Sequence, residues 1–436
     1  MAGPQNIGGT RKVAPHRTFV LRVFLKSGSY LFARVFKAFT YHDFRLLWLG
    51  ACFSSIGTWM QTVAQSWLVY EISKSAFMLG VDAFLGQIPI FLFSLLGGVV
   101  ADRFDRRRVL LVSQLVQMAC AFTLAILLFT HFIHQGGNVY PILCLSFTVG
   151  TAQAFGGPAY QALIPSLVKP EDMPNAIALN SIQFNLARVI GPVLGGLTMS
   201  AFGAQWCFTL NGLSYLGPIL SLLLVKPGFV PVHGKESVLE SIRQGITFIR
   251  RQPAMVPLIC LAFLMTFLGI PTMTYLPVMA KEVFAGDAKT FTYLLSTSGA
   301  GAVAGALLVA AFGQKRKKGM LALVMLMALG AFTIAFSQTR ILWLSLALLF
   351  LAGAALVAVF AFVTSLVQLI AKDAMRGRVM SVYNVAFRGG MPFGALISGY
   401  FVPLIGVPSV LAINGGLLAC LGLYFLVGRR EVSQLE

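Results

Sequence analysis

Two arginines, Arg188 and Arg388, interrupt long apolar runs near their midpoints. A cation at mid-membrane costs at least ~2.5–3.5 kcal/mol on insertion scales and normally faces a cavity or a partner. Ser181, Asn185 and Arg188 recur at helical spacing, as do Ser381, Asn384 and Arg388, so each set shares one face of a helix. Trp59, Gln61, Gln87 and Asn211 offer aromatic and amide groups from other runs. Together these residues could line a substrate cavity. Its charge would suit an anionic or polyhydroxylated aromatic molecule, because a buried cationic ligand needs a carboxylate to replace its lost water. Each arginine could equally do no more than brace helix carbonyls or neighbouring side chains. Acids are scarcer. Asp82 lies about two turns inside the second run and Glu71 closes the first. Either could load and release a coupling proton, as intramembrane carboxyls do; Asp82 could also pair an arginine or cap a helix.

No other reactive constellation stands out. The five histidines fall in loops or connecting segments, and the six cysteines lie in apolar runs without CxxC spacing. Neither a nucleophile–base pair, a zinc site nor a disulfide framework is indicated. The chain is therefore expected not to be an enzyme and to hold no metal or cofactor.

These residues are set in an extremely apolar chain. Of 436 residues 57% are hydrophobic and 11% are charged, and the mean hydropathy is +0.82. Soluble domains average ~25% charged residues, so a water-soluble globule, a coiled coil and a disordered chain are excluded. Thirty-three Lys and Arg against 14 Asp and Glu leave a formal charge of +19. In a soluble protein that excess would suggest nucleic acid. Here it follows from cytoplasmic loops of multi-pass proteins gathering Lys and Arg.

Apolar runs long enough to span a bilayer cover 44–72, 76–101, 107–131, 140–166, 175–203, 205–226, 254–280, 288–313, 319–338, 341–370, 378–405 and 408–428. They predict an all-α integral membrane protein with twelve transmembrane helices. The break at 227–253 divides them into six-helix units over 44–226 and 254–428, preceded by a basic segment 1–43 and followed by a tail 429–436. Most of the basic residues fall on one side, which predicts cytoplasmic termini and a plasma (inner) membrane location. An interfacial helix is expected within 17–39, and an amphipathic helix in the linker through Leu239, Ile242, Ile246 and Ile249. The halves echo one another: Ser181, Arg188 and Pro192 in the fifth run stand where Ser381, Arg388 and Pro392 stand in the eleventh. Asn211 and Asn414 correspond in the sixth and twelfth. An internal repeat of this kind is a common transporter architecture, with the substrate path between the repeats. The string SGAGAVAG at 298–305 lies inside a span and opens no βαβ unit, so it reads as packing and not as a nucleotide loop.

The segment GGVVADRFDRRRVLL places Gly98, Asp102, Arg103, Arg106 and Arg107 between the second and third runs. It resembles the loop 2–3 signature of the major facilitator superfamily, G-x-x-x-D-[RK]-x-G-[RK]-[RK], with Asp105 in place of the second Gly. In that superfamily the Asp and an Arg latch helix ends together on the cytoplasmic side when the transporter is open outward, and Gly98 would let two helices approach. GPVLGG, with Gly191, Pro192, Gly195 and Gly196, resembles the fifth-helix motif of export-direction members. Its physical content is a helix bend at Pro192, echoed by Pro392, beside a small-residue contact face. With FRLLWLG (44–50), SSIGTWMQTVAQSWLVYEIS (54–73) and ARVIGP (187–192), the chain is similar over 44–428 to the drug and siderophore efflux branch of that superfamily, which includes enterobactin exporters. Some relatives carry an Asp where this chain has Thr58. The resemblance implies a secondary transporter that exports a small amphipathic molecule by alternating access, with protons as the coupling ion and the bilayer as its other partner. Uptake of a small metabolite is the alternative. A membrane-embedded receptor or transferase is the reading from another class. No nucleic-acid or nucleotide partner is expected.

Overall fold

The computed structural model describes residues 36–134, 136–225, 238–312, 317–372 and 375–428, with 432 and 434–435. The interfacial helix expected over 17–39 lies outside the described residues up to position 35. Residues 36–40 end in a 3-10 turn, Lys37–Thr40.

No strand occurs among the described residues. Capping residues set the first helix boundaries. Helix α1 (His42–Ser73) stops at Lys74, which takes the left-handed conformation at φ 49°. Ser75 then accepts the Met78 N–H and opens α2 (Ala76–Arg103). Asp105 accepts the Arg107 N–H at 2.9 Å and opens α3 (Arg106–Phe129), supplying one of the acceptors that a helix start needs. The departure from the family signature thus does capping work. Next come α4 (Tyr140–Leu163) and α5 (Met173–Phe202). Gly203 ends α5 at φ 93°, and α6 (Ala204–Ser214) and α7 (Leu216–Leu224) share the following run.

The linker carries α8 (Val238–Arg250). Helix α9 (Met255–Gly269) is followed by α10 (Pro271–Thr274), α11 (Leu276–Val278) and a π turn over Met279–Val283. Pro271 and Pro277, which lack N–H donors, fragment this run. The remaining elements are α12 (Ala288–Phe312), α13 (Lys318–Gln338), α14 (Leu342–Ile370), α15 (Arg376–Ile405) and α16 (Val407–Leu423). Gly406 ends α15 at φ 81°, repeating the Gly203 device at the matching point of the second half. Only glycine takes such angles without a Cβ clash.

Nine helical segments among the described residues are long and apolar enough to cross a membrane. Helices α1, α4 and α15, with 32, 24 and 30 residues, are equally long but more polar. Many large apolar side chains point outward, such as Phe53, Leu197 and the 79% exposed Trp343, as lipid contact requires. Within the first part of the chain α1 packs on α5, and α2 on α4; within the second, α12 packs on α14, and α13 on α16. The main contacts between the two parts join α2 to α15 and α5 to α12.

Candidate functional site

A cavity of about 1690 Å³ lies between the two parts. Small-molecule sites more often measure ~300–1,000 Å³. Arg188, Arg388, Ser181, Asn185, Ser381, Asn384, Trp59, Gln61, Gln87 and Asn211 all line it. The helical spacing that grouped them in the sequence brings them onto one continuous surface. Gly98, Val99 and Asp102 line its mouth at the arginine-rich end of α2.

The two arginines form no ion pair among the described residues. The Arg188 guanidinium lies 5.7 Å from the centroid of the Trp59 ring, within cation–π range. Its Nη2 stands 3.3 Å from Met273 Sδ, across the cavity on the second part of the chain. Trp59 meets Phe184 edge-on at 6.3 Å. Gly191 is needed at this contact because a Cβ there would run into the Trp59 side chain and the Ile56 carbonyl.

Asp82 also lines the cavity and is 8% exposed. Gln65 Nε2 donates to both carboxylate oxygens at 3.0 and 3.1 Å, and the Ser146 hydroxyl donates to one of them. The network continues from Gln61 to Gln65 at 3.3 Å, while Asn211 donates to Gln61 at 2.6 Å. Beside it, Tyr215 joins Thr58 and Gln117, each at 3.3 Å. Thr58, where some relatives carry an acid, thus belongs to a hydrogen-bonded wall. Sequence reading missed Gln65 and Ser146 as partners of Asp82. The i, i+4 repeat of Gln61 and Gln65 was the available signal. Glu71 lies apart from the cavity, in a recess of about 300 Å³ with His131 and His134.

At the arginine-rich end, Asp102 is 59% exposed and stands 3.9 Å from Arg106. Such an exposed pair contributes only ~0–1 kcal/mol. Arg106 donates to the carbonyls of Ala101 (3.1 Å) and Ala162 (3.0 Å), joining the ends of α2 and α4. Arg107 donates to the carbonyls of Leu222 and Leu223, tying α3 to α7. Arg103 is exposed. The expectation that Gly98 lets two helices approach is corrected for this conformation. A Cβ on Gly98 would meet nothing, whereas one on Gly97 would strike the Ala154 carbonyl of α4. Adjacent helical residues point ~100° apart, so Gly97 takes the packing position and Gly98 faces the open mouth.

The opposite end is closed by contacts that the sequence did not reveal. Tyr70 donates to Glu282 at 2.5 Å, and Lys281 stands 3.8 Å from Glu71. The Lys281 ammonium also lies 5.7 Å from the Trp67 ring, which stacks on Phe291 at 6.2 Å. Where α2 crosses α15, the Tyr275 hydroxyl donates to the Ala395 carbonyl at 2.5 Å, beside Gly80 and Gly399. On α5, Gly191 and Gly195 abut Trp59 and Met60 of α1, and Gly196 abuts Thr292 of α12. Pro192 and Pro392 sit buried inside unbroken helices. In the SGAGAVAG string, Gly301 and Gly305 meet the main chain of α14, which is packing.

Known proteins share this architecture. Macrolide efflux protein A of Streptococcus pyogenes is 22% identical over 391 residues, covering 87% of this chain and 94% of its own. The staphyloferrin A transporter of Staphylococcus aureus is 22% identical over 388 residues, with 87% and 95% covered. The enterobactin exporter EntS of Escherichia coli is 26% identical over 395 residues, with 87% and 90% covered. Among solved structures, a peptide transporter POT superposes with a TM-score of 0.71 at 15% identity, covering 90% of this chain and 95% of that one. A D-xylose–proton symporter gives 0.69 at 14% identity, with 90% and 98% covered. Relatives and neighbours alike are transporters and not enzymes, and the chain is a multi-pass transporter of the major facilitator type. A family profile described as transmembrane secretion effector matches residues 33–434, and the chain belongs to that family.

Proposed function

We propose that this protein exports a small amphipathic molecule, anionic or polyhydroxylated and aromatic, from the cytoplasm across the inner membrane. Helices α1, α4 and α15 join the nine apolar segments as spans, giving twelve in two six-helix units with both termini cytoplasmic. Their lower hydropathy has a physical reason, since all three place polar residues on the cavity wall. Alternating access moves the two units about the Arg188–Arg388 region. The described conformation is then open to the cytoplasm, with Asp102 in a long, exposed contact with Arg106. Asp82 carries the coupling proton, and Glu71 is the next candidate. The efflux and export roles named for two of the three relatives support the outward direction.

The observation that carries the substrate charge is a pair of arginines lining one cavity, one from each part of the chain, neither of them ion-paired among the described residues. Matched acidic and cationic aromatic compounds, tested on inverted vesicles with and without an imposed pH gradient, examine the whole reading. Acids should accumulate when the gradient is imposed. Arg188→Gln and Arg388→Gln should each weaken acid binding about tenfold, since a hydrogen bond to a charged group contributes ~1.5–3 kcal/mol. Preference for the cations, or acid binding untouched by both substitutions, would make the arginines structural. Accumulation only in right-side-out vesicles would reverse the direction to uptake.

A further inference from the structure

The two sides of the cavity differ in chemistry. The first part of the chain lines it with glutamines from five helices, including Gln61, Gln65, Gln87, Gln114, Gln153 and Gln183. No glutamine and no acid of the second part lines it among the described residues. There α14 presents only Leu356, Val357, Phe360 and Ala361, while α15 adds Val385, Phe387, Met391 and Ala395 around a polar row of Ser381, Asn384 and Arg388. Phe360 and Phe387 pack with centroids 4.8 Å apart. The hydroxyls on this side are spent on main-chain carbonyls: Thr266 on those of Phe263 and Phe387, each at 2.9 Å, Thr274 on that of Ile270 at 3.5 Å and Ser381 on that of Gly377 at 3.0 Å. On the glutamine side, by contrast, Gln114 Oε1 is buried without a hydrogen-bond partner among the described residues. An acceptor left open in a cavity wall costs free energy until a donor reaches it.

We propose that the cavity selects a rigid facial amphiphile. Its hydroxyl donors lie on one face toward the glutamine wall, its opposite face is bare hydrocarbon against α14, Phe387 and Met391, and its anionic end lies toward Arg188 and Arg388. The inference rests on the export reading only in placing the substrate in this cavity. A flat molecule with polar groups on both edges fits poorly, because one edge would leave its hydroxyls unpaired against Phe360 and Phe387. An aromatic acid without a polar face would leave the Gln114 acceptor unserved.

Two epimeric steroid acids separate these cases. Cholate carries three hydroxyls on one face of a rigid ring system. Ursocholate has the same formula and charge, with the 7-hydroxyl moved to the other face. With the full-length protein in lipid nanodiscs, cholate should bind about fivefold or more tightly than ursocholate, because a hydroxyl buried without a partner is penalised. Met391→Gln should bring the two affinities within about twofold by giving the displaced hydroxyl a partner, and Phe360→Asn serves as a second variant should Met391→Gln fold poorly. Arg188→Gln should weaken both acids alike. Equal binding of the epimers, binding of neither, or a ratio that both wall variants leave unchanged would overturn the inference. The export reading stands or falls separately, on vesicle accumulation of acidic aromatics: export with equal epimer binding removes only the facial preference, and selective binding without accumulation removes only the export reading.

Discussion

Asp82 receives three hydrogen bonds from two side chains of other helices, so its carboxylate is held in one orientation at the cavity wall. If it carries the coupling proton, Asp82→Asn should lower pH-driven transport about tenfold or more, an effect of ~1.4 kcal/mol or above on the barrier. Exchange of substrate down its own gradient should continue, because the amide preserves the shape of the site. Counterflow measured beside pH-driven uptake into inverted vesicles checks this, and unchanged pH-driven transport would pass the role to Glu71. Asp102 calls for a different test. Its contact with Arg106 is long and exposed, so Asp102→Asn should leave this conformation's stability within ~1 kcal/mol while slowing turnover severely. A thermal melt and an initial rate on the same preparation suffice, and a normal rate would remove the latch. Helical periodicity made the positions of Arg188, Asn185 and Ser181 legible, because one helix face is a local property of the chain. It could not choose between Gly97 and Gly98, which differ only in which neighbour each meets. Nor could it pair Gln65 and Ser146 with Asp82, since that meeting joins three helices.

At the scale of elements, the stops at Gly203 and Gly406 were not read from the sequence, whereas the nine apolar segments were legible because hydrophobic length acts within one segment. The sealing contacts were not, because Tyr70, Lys281 and Tyr275 become partners of distant residues only once α2 meets α15 and α1 meets the π turn after α11. The α2–α15 crossing supplies its own test. A Cβ on Gly399 would lie 2.5 Å from the Tyr275 hydroxyl and 3.3 Å from the Ala76 carbonyl. Gly399→Leu should therefore destabilise the closed end by ~1–3 kcal/mol, the usual cost of overpacking, and shift the molecule toward the opposite opening. A cysteine at Thr274, which lines the cavity, should then label faster with an impermeant maleimide added from the Lys74 side, in a background without the native cysteines. Unchanged labelling would mean that the crossing is not the seal.

Over the whole molecule, the contacts between the two parts are divided by depth. One end is pinned by Tyr70–Glu282, Glu71–Lys281 and the α2–α15 crossing, and the other presents Asp102 and the Gly98 mouth. Under the proposed alternating access, a rocking motion would exchange one set of contacts for another, and a ligand drives such a motion only as far as it binds one arrangement better. The pinned end also makes the protein its own optical reporter. Trp67 is held between Phe291 and the Lys281 ammonium, and a fixed cation shifts the excited-state energy of an indole. Opening that end withdraws the charge and admits water, whose dipoles relax around the excited ring. A variant with Trp48, Trp59, Trp206 and Trp343 changed to Phe would leave Trp67 as the sole indole fluorophore. Its emission should move to longer wavelength when Gly399→Leu is added, with faster quenching by iodide. Each molecule's access state could then be followed as colour during turnover, without an attached dye.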